Sequence, residues 1–244
     1  MASWPGLRHE QAAERLLETV VEPCFGELST AHVQLVPQNF GVLGEDLADR
    51  LVAEFPASKF RLHANVRVLP DRRIADLSGF GLHRDWFQQA SQISRRLGAT
   101  AYTGHSGSRS EASLNEMLDN ARRCADLFGC VVGVEGQYPV AGDKLLVSSW
   151  GEYQQVFESG VPYAIDLSHL NILATASHRK EVTLVMEMLS CERCIEVHVS
   201  DNDGSGDWHQ VCESENWWHA LLSSINPDAV VFSEGNHRKK RNVL

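Results

Sequence analysis

The stretch Cys130-Val-Val-Gly-Val134-Glu135 places a carboxylate directly after a short run of mainly branched apolar residues. Such a run predicts a buried strand, and the amphipathic segment before it, residues 111–127, predicts a helix. A carboxylate that ends a buried strand must be paired or desolvated, because an unpaired buried charge is costly. This stretch therefore predicts an α/β fold with a polar site where a strand ends.

The same alternation extends outward from this stretch in both directions along the chain. Candidate strands cover residues 32–36, 60–68, 100–103, 130–134, 162–165, 194–199 and 229–232, and candidate helices cover 44–55, 85–97, 111–127, 151–158, 180–189 and 217–224. Strands that recur about every 30 residues with helices between them are typical of repeated βαβ units and a parallel sheet.

An eighth strand is expected at residues 3–7, before a helical pattern at 12–21, and it would complete a (β/α)8 barrel. The alternative is an open doubly wound sheet, which usually carries a glycine-rich phosphate turn after its first strand. The sequence contains neither a GxGxxG nor a Walker A motif. A single barrel domain over residues 1–236 is therefore predicted, followed by a basic tail at 237–244.

Composition and charge exclude several classes of protein. The sequence has no apolar stretch long enough to span a bilayer and no secretory signal pattern at its start, and its six cysteines are too few for a disulfide scaffold. We therefore expect a reduced cytoplasmic protein without a membrane partner. The formal net charge of −10 makes nucleic acid an unexpected partner, because such proteins usually present a basic surface to phosphate.

Histidines and carboxylates recur where the predicted strands end, which is the face of a barrel that carries the active site. The candidates are His63, His105, Glu135, Asp166, His198 and Glu234 at or near strand ends, His169 three residues after Asp166, and Asp207 and His209 in a glycine- and acid-rich loop. A metal ion is the simplest partner that these groups could share. Imidazole and carboxylate without thiolate suit iron, manganese or zinc, and do not single out one of them.

Each of these residues also has an explanation that needs no metal. A lone His63 or His105 is more often a hydrogen-bonded core histidine than a ligand. Glu135 alone could be a salt-bridged carboxylate, and Asp166 alone could cap the segment that follows it. Recurrence at the same topological place on several strands is the observation that favours a metal site.

Asp166-Leu-Ser-His169 resembles the D-x-x-H segment of sugar isomerases and epimerases in the xylose-isomerase-like barrel superfamily, and the resemblance covers nearly the whole chain. Those enzymes use a single metal with four ligands, which Glu135, Asp166, His198 and Glu234 match. The remaining candidates resemble the extra ligands of two multinuclear branches. One is the endonuclease IV type, a trizinc apurinic-site phosphodiesterase, and the other is the multinuclear non-heme iron oxidases of methanobactin-type peptide biosynthesis.

The resemblance also implies how the residues would divide among two or three divalent metal ions. The first ion would take His63, His105 and Glu135, the second Glu135, Asp166, His198 and Glu234, and the third His169, Asp207 and His209. The implied catalytic residues are Glu135, Asp166, His169 and Glu234.

Two further stretches favour the iron oxidase branch. Pro5-Gly-Leu-Arg-His-Glu10 resembles its N-terminal motif, and Val134-Glu-Gly-Gln-Tyr-Pro139 resembles its Glu-Asn-x-Tyr-Pro-like stretch. Gly136 departs from that pattern, and His169 stands where the family often has asparagine, which weakens the match at the third metal. The resemblance implies an iron- and O2-dependent oxidoreductase that modifies a peptide or related small substrate, alone or with a partner protein that binds a leader peptide.

Three alternatives stay open from the sequence. The first is an endonuclease IV-like metal-dependent phosphodiesterase. The second is a sugar or sugar-phosphate isomerase or epimerase, in which Glu135 and Glu234 would move a proton beside one metal. The third is a degenerate barrel with a binding role, although such a protein has little reason to keep a buried carboxylate at so many strand ends.

Overall fold

The computed structural model describes residues 1–2 and 4–237. The predicted tail therefore lies outside the described residues except for His237, as does Ser3 at the start of the predicted first strand. The strands are Val21–Glu22 (β1), Gly26–Glu27 (β2), His32–Leu35 (β3), Lys59–Leu62 (β4), Ala101–His105 (β5), Val131–Glu135 (β6), Tyr163–Asp166 (β7), Cys194–Val199 (β8) and Val230–Ser233 (β9). The α-helices are His9–Glu14 (α1), Glu45–Glu54 (α2), Arg84–Arg96 (α3), Leu114–Phe128 (α4), Trp150–Glu158 (α5), Leu167–Ser177 (α6) and Val182–Ser190 (α7).

The parallel α/β architecture predicted from the sequence is confirmed. Strands β5 to β9 form one parallel sheet in chain order, β3 and β4 form a second parallel pair, and β1 and β2 form a small antiparallel hairpin. The register places the ends of neighbouring strands side by side, since His105 pairs with Glu135 and Asp166 pairs with His198. Side chains that are distant in sequence therefore meet at the carboxyl edge of the sheet.

Local signals explain why β6 delivers Glu135 to that edge. Helix α4 begins at a capping box, in which Ser113 and Glu116 satisfy each other's backbone N–H groups, and it ends at Gly129 in the left-handed conformation with φ of 69°. The chain then enters β6 after one more residue. The apolar strand residues Val132 and Val134 are buried, so the strand is fixed by packing and its last residue is fixed with it.

The N-terminus joins the two parallel sheets. The backbone N–H of Ala2 donates to the Ser233 carbonyl oxygen (2.8 Å), and that of Gln34 donates to the Met1 carbonyl oxygen (3.1 Å), so residues 1–2 lie between β9 and β3. Over residues 1–2 and 4–237, β4 and β5 are not joined by a backbone ladder. The described strands thus form a parallel half-barrel sheet with a further strand pair.

The predicted first strand is wrong for residues 4–7, which form a turn. Pro5 has no N–H to give to a ladder, and Gly6 takes a positive φ of 73°. The pairing falls on Ala2 instead, which bridges to Gln34.

Two predicted helices are also wrong in part. The helix at 12–21 begins earlier, as α1, and gives way to a 3-10 turn at Arg15–Leu17, since the β-branched residues Thr19, Val20 and Val21 favour the hairpin that follows. The segment at 217–224 is a 3-10 helix over His219–Ser224. No helix among residues 1–2 and 4–237 has the combined length and apolar character that crossing a bilayer requires.

Candidate metal centre

The structure brings all nine predicted ligands together at the carboxyl ends of the parallel strands. His63 follows β4, His105 ends β5, Glu135 ends β6, Asp166 ends β7, His198 lies in β8, Glu234 follows β9, His169 lies on α6, and Asp207 and His209 lie in the loop after β8. We call these nine side chains the cluster. Their convergence is a fact of the geometry, while their roles as ligands and in catalysis stay predictions.

Glu135 lies at the centre of the cluster and is 1% exposed. Its Oε1 atom is 3.5 Å from His198 Nδ1, 3.7 Å from His105 Nε2 and 3.8 Å from His169 Nδ1, and its Oε2 atom is 3.7 Å from His63 Nε2. Among the residues that the structure describes, neither oxygen has a hydrogen-bond partner. A buried carboxylate surrounded by imidazoles just beyond hydrogen-bond distance fits a cation held between them.

The donor separations fit ions of the size that these ligands hold. Donor atoms bonded at about 2.1 Å, at tetrahedral or octahedral angles, lie about 3.0 to 3.5 Å apart. The pairs His169 Nε2 with Asp166 Oδ2 (3.3 Å) and His198 Nδ1 with Glu234 Oε1 (3.5 Å) lie in this range. Three groups have all their donor atoms within a wider limit of 4.8 Å: His63 with His105 and Glu135, His63 with His198 and Glu234, and Glu135 with Asp166 and His169. The first and third groups share only Glu135, whose carboxylate has two oxygens, so the cluster fits more than one ion. His63 occurs in two groups, but its Nδ1 atom faces the Ala64 carbonyl oxygen and its Nε2 atom can bind one ion at a time.

Other buried donor atoms in the cluster also lack a hydrogen bond in the described part of the chain. They are Asp166 Oδ2, His198 Nδ1 and His209 Nδ1. His169 groups with Glu135 and Asp166, yet its Nε2 atom also lies 3.5 Å from Asp207 Oδ2, which in turn is 3.1 Å from His209 Nε2. The cluster therefore extends from the strand ends into the loop after β8.

Backbone carbonyls orient two of the histidines. His63 Nδ1 lies 3.0 Å from the carbonyl oxygen of Ala64, and His169 Nδ1 lies 2.9 Å from that of Gly136. When one ring nitrogen donates to a carbonyl, the other is left as an acceptor that can bind a metal. Gly136, where the sequence departs from the oxidase pattern, is therefore the residue whose backbone fixes His169. Its Cα also packs so closely on Tyr153 that a Cβ there would collide with the ring.

The outer nitrogen of His105 faces residues that the sequence analysis did not single out. Asp76 Oδ1 lies 3.4 Å from His105 Nδ1 and accepts a hydrogen bond from Asn65 Nδ2 (2.8 Å). The Asn65 backbone has a positive φ of 64°, a conformation that asparagine tolerates better than most residues. Both residues lie in the irregular segment after β4, where no periodic pattern marks a functional position.

Glu196 is a second residue that sequence reasoning missed, and it supports His198 from below the cluster. It is fully buried, and its Oε1 atom lies 2.7 Å from His198 Nε2 and accepts a hydrogen bond from Thr103 Oγ1 (2.7 Å). Its Oε2 atom accepts from Arg61 Nη1 at 2.7 Å. The contact holds His198 with Nδ1 toward the cluster. One signal was available, because side chains two apart on a strand share a face and Glu196 precedes His198 by two.

Burial and charge set the protonation of the cluster in the metal-free chain. Burial opposes a charged imidazole at His169, but Asp166 and Asp207 outweigh it and raise the pKa of His169 to about 10. At His209 burial acts the same way, and Asp207 and Glu234 raise the pKa to about 9. Burial would raise the pKa of Glu135, yet the neighbouring histidines hold it well below its ordinary value. The site thus carries concentrated negative charge that protons balance when no metal ion is bound.

A cavity of about 240 Å³ opens onto the cluster. Its lining includes the cluster residues His63, Asp207, His209 and Glu234, together with Val36 and Trp208. The cluster is therefore within reach of a small molecule, as the carboxyl ends of strands usually are in folds of this type.

Glu196→Gln is expected to weaken metal binding about 10- to 100-fold, which is the usual effect of losing the outer partner of a histidine ligand. The variant should also lower the melting temperature, because it leaves the buried Arg61 without its counter-charge. Competition with a chromogenic chelator measures the affinity. Thr103→Val is the control, since it removes one hydrogen bond from Glu196 without changing the charge, and it should leave the affinity nearly unchanged. Equal affinity in Glu196→Gln and the native chain would contradict the assigned role.

Comparison with known proteins identifies the fold. No family model matches the sequence, and no curated protein matches it. A D-tagatose 3-epimerase-like protein matches with a TM-score of 0.63 and 16% identity, over 93% of this chain and 85% of that one. A family 2 AP endonuclease from Brucella melitensis matches with a TM-score of 0.63 and 18% identity, over 97% and 92%. Endonuclease IV from Thermus thermophilus matches with a TM-score of 0.54 and 14% identity, over 82% and 81%.

The structural neighbours are xylose-isomerase-like TIM-barrel proteins, and this chain shares their parallel α/β arrangement. At such identities they show the fold alone. The three proteins are described as an epimerase-like protein and two endonucleases, and none of them as an iron oxidase.

Proposed function

We propose that this chain is a multinuclear metal-dependent enzyme that hydrolyses phosphate esters, in the manner of an endonuclease IV-like phosphodiesterase, at the mouth of an eight-stranded barrel closed through Met1 and Ala2. The observation that carries the proposal is a pair of donor groups that meet at Glu135, one completed by His63 and His105 and the other by Asp166 and His169. A mononuclear isomerase needs four ligands and would leave the other five members of the cluster unexplained. A multinuclear phosphodiesterase uses all nine.

The roles of the residues follow from their positions. Divalent ions at such a site supply positive charge to phosphate oxygens and make a water molecule more acidic at neutral pH. Glu135, 1% exposed among four histidines, would join two ions, and Glu196 would keep His198 turned toward them. Asp207 and His209 border the cavity and would hold the part of the centre nearest the substrate.

Charge and size favour a small substrate over duplex DNA. The chain carries 32 acidic and 22 basic residues, giving a net charge of −10, and a duplex would be repelled by that balance. The cavity of about 240 Å³ is smaller than the sites that usually enclose drug-sized ligands. We therefore expect a small phosphodiester or phosphomonoester to be turned over faster than an abasic duplex.

Hydrolysis of a chromogenic diester tests the proposal. Protein loaded with zinc or manganese is expected to release 4-nitrophenol from bis(4-nitrophenyl) phosphate, while protein treated with chelator should not. Glu234→Gln, which neutralises a ligand shared with His63 and His198, should lose most of the rate. Arg122→Gln, on an exposed helix face, is the matched control and should retain it. Absence of hydrolysis of the diester, its monoester and an abasic duplex by fully loaded protein would overturn the proposal.

An iron-dependent oxidase of peptides or related small substrates is the second candidate. The donor set of imidazole and carboxylate suits iron as well as zinc, and Pro5 of the oxidase-like Pro5–Glu10 stretch lines the cavity. In that function a partner protein would deliver the leader of a peptide substrate. Protein loaded with iron under anaerobic conditions should then consume O2 only when a peptide encoded beside its gene is added. Hydrolysis without O2 uptake would remove this candidate.

A sugar or sugar-phosphate isomerase or epimerase is the third candidate, and the likeness to an epimerase-like protein favours it. Glu135 and Glu234 would then move a proton on either side of a single ion. Exchange of substrate hydrogen with deuterium from solvent would reveal this activity. A requirement for more than one ion per chain would argue against it.

A further inference from the structure

The loop over residues 201–210 carries two cluster residues and is a fixed part of the fold. Two backbone hydrogen bonds between Asp201 and Gln210 (2.8 and 3.0 Å) close its base. The side-chain amide of Asn202 donates to the carbonyl oxygen of Ser168 (2.9 Å), which ties the loop to α6. Side chains near the base of the loop therefore stand in defined positions beside the cluster.

Trp208 lies between Asp207 and His209, near the base of this loop. Its indole N–H donates to Asp203 Oδ1 (3.0 Å), and Asp203 is itself held by the Ser205 hydroxyl (2.6 Å). The backbone turns at His209, whose φ is +46°, so that Asp207 and His209 both reach the cluster while Trp208 borders the cavity. Trp208 remains 46% exposed although it is a large aromatic residue.

Trp208 is partly exposed and forms part of the cavity wall, so its ring is within reach of a molecule bound at the cluster. Gly206 lies beneath the ring, where any Cβ would come within 2.9 Å of its Cζ2 atom, so the loop sequence leaves room for the indole to lie against the backbone. Aromatic side chains in such positions stack on planar rings of ligands, and stacking on a nucleobase strengthens binding about 5- to 100-fold.

We propose that Trp208 is a specificity-determining residue that stacks on a planar ring of the substrate, such as a nucleobase. Metal ions held by the cluster would bind the adjoining phosphate. The inference rests on the proposed phosphoester function and narrows its substrates to nucleotide-like phosphate esters. It also fits the charge of the chain, because a single nucleotide carries far less negative charge than a duplex.

Binding of two ligands that differ only in the ring tests the proposal. Zinc-loaded protein is titrated calorimetrically with adenosine 5′-monophosphate and with ribose 5-phosphate, which lacks the base. The nucleotide is expected to bind at least about tenfold more tightly. Trp208→Ala should bring the two affinities together, and Trp208→Phe should keep most of the preference. Phe40→Ala removes an exposed aromatic that does not line the cavity and should leave the preference unchanged.

The possible outcomes distinguish failure of the stacking role from failure of the proposed phosphoester function. Equal binding of both ligands to the native chain, or a preference that survives in Trp208→Ala, overturns the stacking role and leaves the phosphate site standing. Binding of neither ligand to fully loaded protein overturns the stacking role together with the phosphoester function. A base preference that requires Trp208, in a protein that hydrolyses no phosphate ester, supports the stacking role and rejects the hydrolase.

Discussion

Glu135→Gln is expected to lower the phosphodiesterase rate by about a thousandfold or more and to reduce the number of bound metal ions. Glutamine keeps the size of the side chain but removes the charge that two ions would share, and metal ions contribute several kcal/mol to such reactions. Both oxygens of Glu135 lack hydrogen-bond partners over the described residues, so the substitution removes the charge without breaking a hydrogen bond seen there. Steady-state kinetics and elemental analysis of the same preparation measure the two effects.

Glu152→Gln is the matched control for this variant. Glu152 is also largely buried, but it pairs with Arg109 (2.6 Å) away from the cluster. Its replacement should lower stability without changing metal content or rate. A Glu135→Gln protein that kept its full complement of metal and its activity would show that this carboxylate is structural.

Removal of metal is expected to lower the melting temperature by about 10 °C. The cluster carboxylates of Asp166 and Glu234 are buried near one another, and burial together with the charge of Glu234 raises the pKa of Asp166. An ion present at 100 to 1,000 times its dissociation constant stabilises a protein by about 3 to 4 kcal/mol. In a chain of this size each kcal/mol shifts the melting temperature by about 2 to 4 °C.

Thermal unfolding before chelation, after chelation and after metal is added back measures this effect. The temperature should recover when metal is restored, and the Glu135→Gln variant should respond less than the native chain. An identical melting temperature in all three states would mean that the cluster is held by its own hydrogen bonds and protons, without a contribution from metal.

The sequence predicted most of the strands and the place of the cluster, because both follow from patterns that repeat. Short apolar runs mark buried strands whatever their partners, and a carboxylate after such a run, as at Glu135, can be found without knowing the fold. Parallel strands then bring their carboxyl ends to one edge. His105 and Asp166 could be grouped with Glu135 on that ground alone.

The features that could not be predicted depend on tertiary contacts, which leave no periodic pattern in the sequence. Helix α6 was not predicted, because it is buried from Leu167 to Ala174, polar residues included, and its polar and apolar residues do not separate into an amphipathic pattern. Its start is set by Asp166, whose side chain accepts hydrogen bonds from the backbone N–H groups of Ser168 and His169 (2.7 and 3.2 Å). The helix-cap explanation of Asp166 therefore applies alongside its place in the cluster.

The sequence alone also could not show which ligands lie close enough to share an ion, or which residues support those ligands. The sequence resemblance grouped His169 with Asp207 and His209, and the structure places His169 Nε2 3.3 Å from Asp166 Oδ2 and 3.5 Å from Asp207 Oδ2. Glu196 is a charged residue in the middle of an apolar strand, and only the positions of Arg61 and His198 show what it does.

Elemental analysis of protein purified without chelators tests the central claim most directly, since every proposed role depends on a shared metal centre. The structure leads us to expect two or three divalent ions per chain, of zinc, manganese or iron, falling by at least one in Glu135→Gln. A chain that holds none after incubation with each of these metals, or that binds one ion with the same affinity whether or not Glu135 is intact, would contradict the account.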